Sequence, residues 1–184
     1  MKKEKQLSEM TLKELWQLFP VFLTEHKPYW ADWYADEVQE LKRILPPYAE
    51  YHHIGSTAVK GIMAKPIVDI LIAVNEIGQI GQAADILQEH GYLRMSASAA
   101  RISLNKGYTP DGFAEKVFHL HIRLKNDTDE ILFRDYLNTH AGVAAEYERL
   151  KLGLWKRYEH DRDAYTEAKT DFVKKYTELA KRGK

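Results

Sequence analysis

Apolar residues recur at helical spacing in two N-terminal stretches. In the first, Met10, Leu12, Leu15, Leu18 and Phe19 predict a short helix over residues 8–19, with Ser8 to cap it and Pro20 to end it. In the second, from Tyr29 to Leu45, the residues Trp30, Trp33, Tyr34, Val38, Leu41 and Leu45 form one stripe, and Pro46-Pro47 stops it. The pattern then changes period. Glu50 to Ile54 reads as a strand closing at Gly55-Ser56-Thr57, with a short helix after the turn. Residues 67–74 are β-branched and apolar on both faces, the signature of a central, doubly covered strand. Ile77 to His90 predicts a helix ending at Gly91. A weaker strand covers Arg101 to Leu104, and Asn105 to Gly112 reads as a loop. Val117 to Leu124 alternates, placing Phe118, Leu120, Ile122 and Leu124 on one face and His119, His121 and Arg123 on the other. From Asp129 the chain is helical to its end, with Asp127 or Thr128 as cap and breaks at Gly142 and at His160-Asp161.

Helices, then mixed strand and helix, then helices again describe an α/β or α+β fold. The expectation is one domain over 1–184, with a mixed-sheet core at 46–126 and a helical cluster at 127–184. No internal repeat, low-complexity tract or linker divides it.

Composition narrows the function classes. Lys plus Arg and Asp plus Glu each number 27, so the formal charge is zero, which argues against a nucleic-acid binder. There is no cysteine, which removes disulfides, thiolate metal sites and a cysteine nucleophile. The apolar run Ile70–Val74 is far short of the roughly 20 residues of a membrane span. The start from Met1 to Gln6 is basic but leads into an amphipathic stretch, so a cytoplasmic location is expected. Lys2, Lys3, Lys5, Lys181, Arg182 and Lys184 read as solubilising ends.

The candidate chemistry gathers in His53–Gly61 and Ala64–Ile70. Gly55, Ser56 and Thr57 between strand and helix give a close-approach turn whose amides and hydroxyls suit a phosphate oxygen. Asp69 stands alone in an apolar strand, where a carboxylate is costly unless paired; Lys65 or a divalent cation would serve.

These stretches, HIGSTAV at 53–59 and AKPIVDI at 64–70, are similar to the GrpB family, a group of small bacterial proteins placed within the nucleotidyltransferase superfamily. FHLHIR at 118–123, LFRDYL at 132–137, EYERLK at 146–151 and DRDAYTEAKTDF at 161–172 match in the same order. The resemblance implies a nucleotidyltransferase-like small mixed sheet flanked by helices, with the Gly-Ser turn and the Asp strand lining one cleft. Some relatives are fused to dephospho-coenzyme A kinase, so a coenzyme A-related nucleotide joins the expected ligands.

Active transferases of that superfamily carry two carboxylates two positions apart on the strand, to share divalent metals. Here Asp69 fits the first position and Leu71 holds the second. His119 and His121, about 7 Å apart on one strand face, could complete a three-ligand site with Asp69 for magnesium, manganese, zinc or iron. His53, two residues before Gly55, is expected to join them, with His52 turned away to the surface. Tyr147 with Lys151, and Tyr165 with Lys169, are each four apart on a helix; the lysines and Arg134 would offer positive charge to a phosphate. Arg101 and Lys106 flank the glycine-containing loop and could close over a ligand.

Three readings follow. The first is metal-dependent transfer of a nucleotidyl or related group, with Asp69, His119 and His121 in catalytic roles. The second is a nucleotide-binding module that has lost its chemistry. The third is metal-dependent chemistry at Asp69, His119 and His121 without a nucleotide.

Overall fold

The computed structural model describes residues 5–183. Five strands form one mixed sheet in the order β1-β2-β5-β4-β3. They are β1 (Glu50–Ile54), β2 (Val68–Val74), β3 (Leu93–Ala97), β4 (Ile102–Thr109) and β5 (Gly112–Leu124). β2 and β5 run parallel at the centre, and the other neighbours are antiparallel.

β2 and β5 are apolar on the face of Ile70, Ile72, Leu120 and Ile122, and this face carries the main core. Helix α2 (Tyr29–Ile44) brings Trp30, Val38 and Leu41 to it. Helix α3 (Ile77–Glu89) brings Ile80, Ala83, Ala84 and Leu87. The opposite face carries Asp69, His119 and His121; register pairs Asp69 with His119, and Leu71 with His121, across β2 and β5. Over that face stand α4 (Asp129–Thr139), α5 (Ala141–Arg157), α6 (Arg162–Glu167) and α7 (Thr170–Arg182). None of the described helices is long and apolar enough to cross a membrane.

Several elements differ from the sequence reading. The first helix, α1, spans Leu12–Leu18 and not 8–19: Thr11 and Glu14 form a capping box, and Ser8 lies in a separate 3₁₀ turn over Leu7–Glu9. β3 was not expected, because all five of its residues are exposed and leave no alternation to read. The expected loop at 105–112 is the hairpin of β4 and β5, turning at Pro110-Asp111. The break between α4 and α5 falls at His140, and Gly142 lies inside α5. Asp161 does cap α6, its carboxylate accepting from the Ala164 amide at 3.0 Å. Thr128 holds the cap position of α4 without a side-chain bond, and Asp127 pairs with Arg101. The ends are more engaged than solubilising tails: Lys5 pairs with Glu14, and Lys181 pairs with Asp129 and Glu178. Lys2, Lys3 and Lys184 lie outside the described residues.

Candidate functional site

The site begins at the junction of β1 and β2. Gly55 has φ +70° and sits against Asp69, leaving no space for a Cβ. The turn opens only a three-residue 3₁₀ turn, Ser56–Ala58, so it offers fewer free amides than the helix expected there.

Asp69 is the centre. His119 Nδ1 lies 3.3 Å and His121 Nε2 3.2 Å from its Oδ1. The three ligand atoms lie within 4.8 Å of one another. Side-chain exposures of 26% for Asp69, 14% for His119 and 23% for His121 leave them open to an incoming ion. Burial pushes the Asp69 carboxyl up, but hydrogen bonds from both histidines outweigh it and hold the group well below the usual carboxylate range. Burial also brings His119 down to about 4, against the pull of Asp69, so the imidazole is neutral at pH 7. One carboxylate and two imidazoles are a donor set suited to zinc, manganese or iron.

A second layer orients the histidines. The Ser103 hydroxyl lies 3.3 Å from His121 Nδ1, and the Tyr108 hydroxyl 2.8 Å from His119 Nε2. Arg162 of α6 donates to the Tyr108 oxygen at 2.7 Å. The β4–β5 pairing shifts register between Lys106 and Tyr108, with the extra residues bulging from β5, and beyond the shift Tyr108 stands on this face. Opposite that bulge β4 has Gly107, φ +90°, where a Cβ would strike the Lys116 carbonyl. The sequence reading passed over Ser103, Tyr108 and Arg162. Alternation along β4 was the signal for Ser103, and the bulge hides Tyr108.

Asp69, His119, His121 and Arg162 line a cavity of about 610 Å³ between sheet and helical cluster. Lys65, Lys151 and Lys169 also face it. Lys65 lies 5.5 Å and Lys169 4.4 Å from the Tyr165 ring centroid, and Lys151 lies 4.9 Å from that of Tyr147 and donates to the Met63 carbonyl. Among the described residues, no carboxylate lies within ion-pair distance of any of the three. Burial, with the charges of Lys169 and Arg162, holds Lys65 down at about 7. Burial and the charge of Lys169 do the same to Lys151, at about 7. Lys169 is held at about 8, chiefly by burial. Burial pushes the Tyr147 hydroxyl up to about 12, against a contact with Ser56. Phe133, Leu137 and Val173 make an apolar side of the same cavity.

The other expected site residues divide between the cavity and the opposite face of the sheet. His53 pairs in register with Ile70, on the core face, where it stacks on Tyr34 and bonds Thr57 Oγ1 at 3.0 Å. It does not join Asp69: the positive φ of Gly55 breaks the alternation that would have put residues 53 and 55 on one side. His52 pairs with Leu71 and is half-buried, not turned out to the surface. Asp69 is partnered by the histidines and not by Lys65. Ser56, Thr57 and Arg134 line the cavity, Arg134 donating to the His53 carbonyl at 2.7 Å. Arg101 lines it too, but Lys106 lies on the other face, paired with buried Glu37 at 2.8 Å. Leu71 does share the face of Asp69, fully buried with Ile54 and Ala73 and covered by Ile131 of α4.

The chain and its fold have counterparts among known proteins. The chain belongs to the GrpB family, described as GrpB protein, whose pattern matches residues 20–179. The glutamate-rich protein GrpB of Alkalihalophilus pseudofirmus is 33% identical, over 83% of this chain and 91% of that protein. The crystal structure of conserved protein GrpB from Enterococcus faecalis superposes with a TM-score of 0.73 at 33% identity, covering 86% of this chain and 96% of that one. The chain spans about half of two longer relatives. With UPF0157 protein YqkA of Bacillus subtilis it is 29% identical, over 94% of this chain and 52% of that protein. With the dephospho-CoA kinase of Mycobacterium leprae it is 28% identical, over 84% of this chain and 45% of that protein.

Proposed function

We propose that the cavity binds a nucleotide or related phosphate-bearing ligand beside a divalent metal at Asp69, His119 and His121, and that the site serves transfer of a nucleotidyl or similar group. The observation that carries this reading is the cluster of Lys65, Lys151 and Lys169. Among the described residues, three lysine amines with no carboxylate at ion-pair distance face the cavity that the Asp-His-His cluster also lines. Desolvated cations of this kind call for an anionic ligand. Lys65, Lys151, Lys169 and Arg162 would hold the phosphate charge. Phe133, Leu137 and Val173 would receive the uncharged part of the ligand. A metal bound at the three ligands would supply positive charge to a phosphoryl oxygen. A cytoplasmic setting suits such a ligand.

One observation favours a second reading, a binding module without transfer. Leu71 occupies the second carboxylate position and is part of the packed layer under α4, so the two-metal arrangement has no second acid there. The dephospho-CoA kinase relative adds coenzyme A nucleotides to the ligands worth testing.

The experiment is a thermal-shift screen of metal-stripped protein with nucleotides and coenzyme A, each with and without magnesium, manganese or zinc. A ligand at 100 times its Kd adds about 2.7 kcal/mol, a shift of several degrees. A shift that needs both nucleotide and metal and is lost in Asp69→Asn supports the transferase cleft, and turnover then separates the first reading from the second. A shift with metal alone points to metal chemistry without a nucleotide. No shift from any nucleotide or metal overturns the proposal.

A further inference from the structure

The hydrogen bonds behind His119 have a fixed direction. Arg162 has only donors, so the Tyr108 oxygen must accept from it, at 2.7 Å. Tyr108 has one hydrogen of its own, and His119 Nε2 lies 2.8 Å away to receive it. Nε2 is then the acceptor of the neutral ring, and Nδ1 carries the proton. The other end agrees. Nδ1 lies 3.3 Å from Asp69 Oδ1, where a lone pair would face a carboxylate and an N–H would donate to it. Two independent constraints thus select one tautomer, and in that tautomer Nδ1 cannot ligate a metal.

His121 stands in contrast. Its Nδ1 is backed at 3.3 Å by the Ser103 hydroxyl, which makes no other side-chain bond among the described residues and can turn from donor to acceptor. His121 Nε2 faces the same Asp69 oxygen at 3.2 Å, but among the described residues nothing behind the ring fixes a proton direction. In His119 the Tyr108 hydrogen on Nε2, with Arg162 on the same phenolic oxygen, favours the Nδ1–H tautomer.

We infer that Arg162, acting through Tyr108, is a positioning residue that locks His119 in its metal-refusing tautomer, and that an anion in the cavity opens the site to metal by drawing Arg162 away. This rests on the metal and anion reading proposed above. Arg162 itself lines the cavity with Lys65, Lys151 and Lys169, so a bound phosphate competes with Tyr108 for its guanidinium. Once Arg162 leaves, the Tyr108 oxygen can accept from His119 Nε2–H, and the Nδ1 lone pair turns to the metal. No proton enters or leaves the ring; it moves from one nitrogen to the other. Anion and metal then bind with positive coupling.

Two measurements on the full chain test this. The first is the ¹⁵N NMR signature of the His119 ring in metal-free protein at neutral pH. The expected result is a proton on Nδ1 in the wild type and a growing Nε2–H population in Arg162→Met. A wild-type ring protonated on Nε2 overturns the inference. The second is zinc affinity, by competition with a chromophoric chelator, in a double-mutant cycle of Arg162→Met and Tyr108→Phe. Arg162→Met is expected to raise affinity roughly three- to tenfold, the range of one hydrogen bond, when Tyr108 is present, and to leave it unchanged in the Tyr108→Phe background. General damage to the fold would lower affinity instead. An equal rise in both backgrounds would mean that removing the guanidinium charge is the whole effect, and overturns the lock. Zinc binding in no variant overturns the metal reading and the coupling together, whereas zinc binding indifferent to Arg162 overturns only the inference drawn here.

Discussion

Gly55 stands so close over Asp69 that a Cβ at position 55 would occupy the space of the carboxylate Oδ2. The same glycine has φ +70°, a region that other residues enter only under strain. One residue therefore turns the chain out of β1 and leaves room for the acid that organises the site. Gly55→Ala is expected to lower stability by about 1–3 kcal/mol, roughly 2–4 °C in Tm for each kcal/mol, and to weaken metal binding by displacing Asp69. Thermal melts and a metal titration check both; an alanine variant as stable as the wild type would contradict the close approach.

Gly107 has the same kind of duty one strand away. The register shift at its position brings Tyr108 to the face of His119, and a side chain at 107 would strike the Lys116 carbonyl. Gly107→Ala is expected to destabilise by about 1–3 kcal/mol and to disturb the His119 ring signals in NMR, while His53, on the opposite face of the sheet, keeps its own.

Leu71→Asp tests whether a second acid can simply be restored. Leu71 packs with Ile54 and Ala73 under Ile131, so the new carboxylate would be buried among apolar neighbours. The expected outcome is a loss of about 3 kcal/mol or more with no gain in magnesium affinity. A variant that melts normally and binds magnesium more tightly would refute this.

The lysine cluster makes stability and ligand binding respond oppositely to pH. Lys65 and Lys151 are held at about 7 and Lys169 at about 8 in the folded chain, against 10.5 for an ordinary lysine. Between these values the unfolded chain binds more protons, so these groups make stability rise with pH. A bound polyanion favours the charged lysines, so its affinity falls over the same window. Tm measured without ligand at pH 7 and 9 should rise more in the wild type than in Lys169→Met. Tripolyphosphate affinity should be weaker at pH 9 than at pH 7.

On the acid side the sign is set by histidines. Burial holds His53 and His119 at about 4, below the ordinary 6.5. The unfolded chain takes up protons first, so their share of stability is lost as pH falls from about 6.5 to 4. A Tm profile over that range should decline, and less steeply in His53→Gln.

Much of this was legible because periodicity survives folding. β1 was read with its observed ends, and α2, α3 and β2 within a residue of theirs. The alternation through residues 117–124 placed His119 and His121 together, and the Asp69 strand was recognisable by its doubly apolar pattern. β3 was invisible for the same reason: a strand exposed along its whole length has no buried period to display.

The sequence alone determined which residues have the chemistry: an isolated acid, a His-x-His strand, lysines spaced along helices, and a family resemblance joining them. Only the tertiary structure decided which of them meet. Parallel pairing of β2 with β5 set Asp69 beside His119, antiparallel pairing of β1 with β2 put His53 opposite Ile70 on the other face, and the register shift at Gly107 brought Tyr108 to the face of His119. The helical cluster then closed over the sheet, turning three lysines that could have been solvated into the charged wall of a cavity. Periodicity is a property of neighbours along the chain. A face, a partner and a degree of burial are set by residues far away in sequence, and they exist only once the sheet is paired and roofed.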